Sequence, residues 1–365
     1  MRSIVFRFSK NFSTSKTTEF LPVIDLQKFL SNDPSSRSLC SQVADSLYKS
    51  GILLVRDPRA TYSDNDTFLN LFEKYFASRS EMRIKNQPIE EMFPKNGYKT
   101  GVTPDYIEIP RENQEFRQSL SSNNQPLTPL PPPKDPKWRY LWRIGDRDPN
   151  AKKSAVEPER VAPNDFPEFT KIVDKWGGQL LQAVHSVSQM LEIGLDIPKG
   201  SFYNLLKNGN TVIGPTGSDL SRYNKSTVFA GLHYDISFLT IHGKSRFPGL
   251  YIWLRTGEKL RVVVPDGCFL LQAGRELEYL TGGHIKAGFH EVVYDELTEK
   301  AVEKAKKENR STWRVSSTMF SHVRSESILE PLGKFSNEES RKLYPKTTGE
   351  EYTIKEFSYI NLIEL

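Results

Sequence analysis

The sequence predicts a mixed α/β chain built around an all-β core, and three observations carry that expectation. From 212 to 294, short runs rich in Val, Ile, Leu, Phe and Tyr alternate with Gly and Pro turns: "STVFAGLHYDISFLTIHG", "GLYIWLR", "KLRVVVPDG", "CFLLQAG", "LEYLTGG" and "FHEVVYD". That is the pattern of an antiparallel β-sandwich or barrel. Helical stripes dominate the stretches before it, and a charged helical insert follows it at 295–310. With 365 residues, 37% hydrophobic and 26% charged, the chain has the length for a sizeable core and an ordinary globular composition.

The N-terminal twenty residues carry Arg2, Arg7, Lys10 and Lys16 and no acid before Glu19. Ile4, Val5, Phe8 and Phe12 share one helical face, so residues 1–18 are expected to be a mitochondrial transit peptide, or else a basic tail on a cytoplasmic protein. The segment 19–122 reads as mixed α and β. "FLPVIDLQKFL" is a short strand leading into a helix, and Leu39, Val43, Ala44 and Leu47 form a helical stripe ended by Gly51. "ILLVRD" is a strand, and "DNDTFLNLFEKYFASRSEMR" is a helix starting at an Asp/Asn cap. Prolines deny helix or central strand to "NNQPLTPLPPPKDPKW", so 123–161 is expected to be a linker or surface loop. A long helix fills most of 162–211, with Asn164 and Asp165 as cap candidates and Ile172, Trp176, Leu180, Val184, Val187 and Leu191 along one face. The β core spans 212–325, its last strand "TWRVSSTMFSHV", and 326–365 is a C-terminal extension.

Several function classes are excluded at this level. The net charge of +5 comes without a dense basic stripe, which argues against nucleic acid. No apolar run approaches the roughly 18 residues of a membrane span. Cys40 and Cys268 form no CxxC pair, which fits a reducing compartment rather than a disulfide scaffold. The chain is expected to be a monomer.

The chemistry concentrates in "AGLHYDISFLTIHGK". In a strand, residues two apart share a face, so His233 and Asp235 present an imidazole and a carboxylate side by side. His242, nine residues beyond His233, would face the other way in an unbroken strand and is set aside. A third ligand must come from another strand. His284 follows a Gly pair and reads as turn, whereas His290 opens the strand "HEVVYD". Two histidines and a carboxylate, leaving three positions open, suit ferrous iron in oxygenases. A zinc site is chemically possible, although no HExxH helix is present. Arg314 and Ser316 lie two apart on an expected strand, and an Arg buried there would call for an anionic ligand. A rim Arg paired with an acid is the alternative. His185 is expected on a helix surface.

These motifs, in this order, resemble the isopenicillin N synthase-like branch of the 2-oxoglutarate- and iron(II)-dependent dioxygenases. "HYDISFLTI" is similar to the family's HxDxSxLT strand, "LQAGRELEYLTGGHIKAGFHEV" to its distal-histidine segment, and "RVSSTMF" to its RxS strand. "LPVIDLQKFL" and "SGILLVRD" resemble its N-terminal region. The resemblance implies a double-stranded β-helix (jelly roll) flanked by helices. It makes His233, Asp235 and His290 ligands of Fe(II) and gives Arg314 and Ser316 the distal carboxylate of 2-oxoglutarate, with Tyr223 near that cosubstrate. Phe238 and Tyr98 are candidates for the substrate pocket. The implied reaction couples decarboxylation of 2-oxoglutarate to succinate, with O2, to hydroxylation, desaturation or cyclisation of a small molecule. An oxidase of the same branch that does not use 2-oxoglutarate, and an inactive jelly-roll binding protein, are the alternatives. The chain departs from the pattern in the longer gap between His290 and Arg314, in Glu291 where the family commonly has Arg, and in "LTGG" for "LTNG".

Overall fold

A computed structural model describes residues 16–18, 21–150 and 154–359. The basic leader read from the sequence falls largely on residues 1–15, outside that set. Strands in chain order are β1 (Val23–Asp25), β2 (Ile52–Arg56), β3 (Gly101–Thr103), β4 (Trp138–Arg143), β5 (Val212–Ile213), β6 (Thr216–Asp219), β7 (Val228–His233), β8 (Leu239–His242), β9 (Leu250–Trp253), β10 (Lys259–Arg261), β11 (Phe269–Ala273), β12 (His290–Val293), β13 (Trp313–Val315) and β14 (Met319–Ser321). Ten of them form one sheet in the order β1-β2-β11-β8-β14-β5-β4-β6-β13, with β3 on β4. The other four form a second sheet, β10-β9-β12-β7, and two further short strands, Ile328–Leu329 and Thr347–Thr348, pair with each other apart from both. Apart from the parallel β1–β2 pair, these pairings are antiparallel. Ile52, Leu54 and Leu270 of the large sheet meet Ile252 and Leu260 of the small one in an apolar plug between the sheets.

The other face of the large sheet is covered by helices. Helix Phe169–Gly194 buries Val173, Trp176, Leu180, Val184, Val187 and Leu191 against the sheet and against helix Ser36–Ser50. Each such side chain contributes roughly 1.5–3 kcal/mol when fully removed from water. Gly51 ends the shorter helix in the left-handed region (φ 69°), as a chain turning straight into β2 requires.

Local expectations fail in instructive places. The helix Tyr62–Ile84 is capped by Thr61, with Asp64 closing a capping box three residues in rather than starting the helix. Asn164 and Asp165 lie outside the long helix and are drawn off by side-chain partners, Asp165 by Arg79 and Asn164 by Glu90. "LEYLTGG", read as strand, begins inside the helix Arg275–Leu280; "STVFAGLHYDISFLTIHG" is two strands, β7 and β8, in different sheets. "TWRVSSTMF" breaks likewise into β13 and β14.

The proline-rich segment is a strap. β7 is an edge strand of the small sheet, and its free donors are met by strap side chains. Thr128 Oγ1 accepts from Leu232 N (2.8 Å), and Asp135 Oδ1 accepts from Gly231 N (3.0 Å). Glu291, with no exposure, holds the strap from below. It accepts from Leu127 N, Thr128 N and Thr128 Oγ1 at 2.8–3.1 Å and pairs with Lys259 at 2.7 Å.

Candidate metal centre and its cavity

β12 lies between β9 and β7, and its first residue, His290, stands directly opposite His233, the last residue of β7. Directly opposed residues share a face, so the two imidazoles meet, with ring centroids 4.1 Å apart. Register shifts follow at once, between His290 and Val292 and again before Val293. Asp235 lies just beyond β7 and closes the group: its Oδ1 is 3.7 Å from His233 Nε2, its Oδ2 3.8 Å from His290 Nε2. One ligand atom from each residue falls within 4.8 Å of the others.

The surrounding bonds set the chemistry of these three groups. His233 Nδ1 lies 2.6 Å from the Gly231 carbonyl and His290 Nδ1 3.3 Å from that of Gly288. A carbonyl only accepts, so each Nδ1 carries the proton and donates it, and each Nε2 lone pair is left facing the carboxylate. Thr240 Oγ1 donates to Asp235 Oδ2 at 2.7 Å and fixes the carboxylate plane. Burial and the neighbouring His290 push the His233 pKa down to about 3. Burial raises the Asp235 pKa, but His290, His233 and Thr240 outweigh it and hold it below the usual carboxylate range. Two neutral imidazoles and one carboxylate on one side of an open space are a donor set for a divalent metal, and they fit Fe(II).

That open space is a cavity of about 460 Å³ between the sheets, lined by the triad, Arg314, Ser316, Thr216 and His242 among others. Arg314 Nε donates to the Pro248 carbonyl (3.1 Å), and among the described residues no carboxylate forms an ion pair with the side chain. Burial pushes its pKa down to about 10, against only partial help from Asp295. A buried guanidinium in a cavity wall without an acid is a receptor for an anion. Ser316 sits one residue past β13 and shares hydrogen bonds with Thr216 Oγ1 (2.9 Å) and Thr318 Oγ1 (3.0 Å). Its hydroxyl also accepts from Thr216 N at 3.1 Å, and the residue lines the cavity.

Other positions read from the sequence lie elsewhere. Tyr223 is outside the cavity lining; its hydroxyl meets Tyr106 OH at 3.3 Å and its ring packs edge-on against Phe229. Phe238 has no exposure and packs on Phe202 in the main core, because the break after β7 turns it away from the ligand pair. Tyr98 lies in a loop next to left-handed Gly97 and does not line the cavity. The parity that sets His242 aside needs an unbroken strand, and that strand does not exist. His242 lines the cavity, with burial pushing its pKa down to about 4, but stands outside the ligand group. His185 is half-buried against the edge of Tyr203.

The sequence reading missed a charged group in the wall: Glu108, Asp135, Lys137 and Arg139. Lys137 pairs with Asp135 and with Glu108 (3.1 Å), and Arg139 with Glu108 (2.9 Å). Burial raises the Glu108 pKa, but Arg139 and Lys137 bring it down to about 2. A signal was present: residues 135, 137 and 139 are charged while Trp138 and Tyr140 between and after them are apolar, which is the period of a strand. The prolines before them concealed it.

No protein-family model matches the chain. A curated relative, gibberellin 20 oxidase 4 of Arabidopsis thaliana, is 21% identical over 284 residues, 77% of this chain and 69% of that protein. A solved 2OG-Fe(II) oxygenase family protein from Caulobacter crescentus superposes with a TM-score of 0.70 at 19% identity, covering 94% of this chain and 99% of that one. A full-length Neurospora crassa protein, solved in complex with alpha-KG, gives 0.69 at 17% identity over 94% and 98%. The chain therefore shares the fold of these solved oxygenases. In that frame the two sheets are the jelly roll, and the triad stands at its small-sheet wall.

Proposed function

We propose that this protein is an Fe(II)- and 2-oxoglutarate-dependent oxygenase acting on a small molecule. One observation carries the reading: Arg314, a buried cation with no acid partner among the described residues, lines the same cavity as His233, Asp235 and His290. The triad would hold Fe(II) through two Nε2 atoms and one carboxylate oxygen. Bound there, iron with 2-oxoglutarate and O2 supplies the oxidising power, with 2-oxoglutarate released as succinate and carbon dioxide. The chain's own residues do the rest. Arg314 and Ser316 grip the far carboxylate of 2-oxoglutarate and so fix its length across the cavity. Thr240 holds Asp235, the Gly231 and Gly288 carbonyls hold the imidazoles, and the apolar plug keeps the two sheets packed on each other. Support for a small-molecule substrate comes from relatives solved with such ligands: the Neurospora crassa protein with alpha-KG and thymine, and JOX2 with 2OG, Fe and JA.

The test is anaerobic Fe(II) loading followed by uncoupled 2-oxoglutarate turnover, read as succinate. We expect the wild type to form succinate, His233→Ala to form none, and Arg314→Ala to need far more 2-oxoglutarate. Unchanged turnover in both variants overturns the assignment. We also propose residues 1–18 as a mitochondrial leader, supported by their basic, acid-free composition; a reporter fused to them that stays cytosolic refutes it.

A further inference from the structure

Glu291 directly follows the ligand His290, has no exposure, and stands where the chain departs from its family resemblance. Its side chain acts toward the other imidazole. Between His290, opposite His233, and Val292, opposite Ala230, β12 supplies one residue and β7 two. Glu291 therefore faces both Gly231 and Leu232 across a β-bulge. The peptide unit those two residues share is the one that holds His233. Its carbonyl, that of Gly231, accepts from His233 Nδ1, and its N–H, that of Leu232, donates to Thr128 Oγ1 at 2.8 Å. A trans peptide points the two groups in opposite directions, so one bond backs the other.

The strap hydroxyl is fixed in turn. Thr128 Oγ1 has a single proton, which it donates to Glu291 Oε2 at 2.8 Å, and so it meets Leu232 N with a lone pair. Oε2 also accepts from Thr128 N, while Oε1 accepts from Leu127 N and Lys259 Nζ. Four donors on two oxygens leave no place for a carboxyl proton, and Lys259 sits on the oxygen away from the hydroxyl. The links run without a gap from Glu291 to Thr128, to the peptide, to His233. Each bond in such a chain polarises the next, and the first is strengthened by the carboxylate's charge. Glycine is required where the strap comes this close: a β-carbon at Gly231 would lie 2.4 Å from Pro110 Cγ and 3.1 Å from Thr128 Cγ2. The two ligand histidines are held unequally. His233 Nδ1 is 2.6 Å from its carbonyl, and His290 Nδ1 is 3.3 Å from that of Gly288. An imidazole is a stronger donor at Nε2 the more firmly its Nδ1 proton is drawn away.

We propose that Glu291 and Thr128 are positioning residues for the metal centre: through the Gly231–Leu232 peptide they lock the tautomer and ring plane of His233 and make its Nε2 the stronger imidazole donor. The inference rests on the reading of the triad as a divalent-metal site.

The experiment titrates the full-length protein anaerobically with Fe(II) and with Co(II), and reads both affinity and the visible ligand-field bands of bound Co(II). Thr128→Val keeps the shape without the hydroxyl, Thr128→Ser keeps the hydroxyl, and Glu291→Gln removes the charge. Arg117→Met is the control for a loosened strap. It gives up the guanidinium's bonds to the Thr128 and Glu112 carbonyls and leaves every link to His233 in place. Immediate partners of a ligand histidine are worth about 10- to 100-fold in metal affinity, so a hydroxyl standing further out should cost about tenfold in Thr128→Val. The Co(II) bands should move to longer wavelength, as a weaker donor field requires. Glu291→Gln should lose less, in the same direction, while Thr128→Ser and Arg117→Met match the wild type. Wild-type affinity and spectrum in both Thr128→Val and Glu291→Gln overturn the proposal. So does a loss in Arg117→Met equal to that in Thr128→Val, or a serine no better than valine, since the strap would then be only a prop. If Thr128→Val does not fold, Glu291→Gln decides by the same two readings. A wild type that binds neither metal brings down the metal-centre reading itself, and this one with it.

Discussion

Replacing Arg314 by Met should stabilise the protein in the absence of ligand and abolish its response to 2-oxoglutarate. The residue is 7% exposed, no acid among the described residues pairs with it, and burial has moved its pKa from 12.5 to about 10. That displacement corresponds to roughly 3 kcal/mol against holding the charge in place. Methionine fills a similar length without a charge. It gives up the 3.1 Å hydrogen bond to the Pro248 carbonyl, worth about 1–2 kcal/mol net. The balance is a gain of about 1–2 kcal/mol in metal-free, cosubstrate-free protein, read as a higher denaturant midpoint at unchanged slope. Adding 2-oxoglutarate with a divalent metal should raise the wild-type midpoint and leave that of Arg314→Met where it was, since a ligand stabilises only the state that binds it. A variant less stable than wild type, yet still stabilised by 2-oxoglutarate, would refute the view of Arg314 as an unpaired cation awaiting an anion.

Three further outcomes are expected. Thr240→Val keeps the shape but removes the hydroxyl that donates to Asp235, and should weaken Fe(II) binding about 10- to 100-fold; equal affinities by metal titration would count against it. Glu291→Gln leaves Lys259 without its acid and loosens the strap, costing about 3 kcal/mol in denaturation, with new proteolytic cuts between 123 and 137; an uncut, equally stable variant would contradict the strap. Burial holds the His185 pKa at about 4 in the folded protein against 6.5 unfolded. The unfolded chain therefore takes the proton first, and stability is fully present above pH 6.5 and falls as pH drops toward 4, by about 3 kcal/mol at most from this residue. His185→Gln should flatten that part of the pH–stability curve, and an identical curve would exclude His185 as a source.

The sequence alone determined the parts of this protein that repeat locally or stand as motifs. Alternating apolar runs with Gly and Pro turns identify the β core, and the stripe from Trp176 to Leu191 identifies the long helix, because periodicity reports which face is buried. His233 and Asp235 were legible as a pair, two residues apart. His290 was legible once a second strand was required. Other features depend on which strand lies beside which, and no local pattern records that. The strand containing His233 breaks after it, so Phe238 turns into the core while His242, on the next sheet, returns to the cavity. Side-chain partners far along the chain took Asp165 from its expected helix cap and gave Glu291 a strap to hold. Arg139 was hidden for the same reason. Its own stretch reads as proline-rich loop, and only the pairing of β4 with β6 turns that residue toward the metal centre. Burial made the final difference at Arg314: a guanidinium becomes a candidate anion site only where the fold removes it from water and, among the described residues, leaves it without an acid.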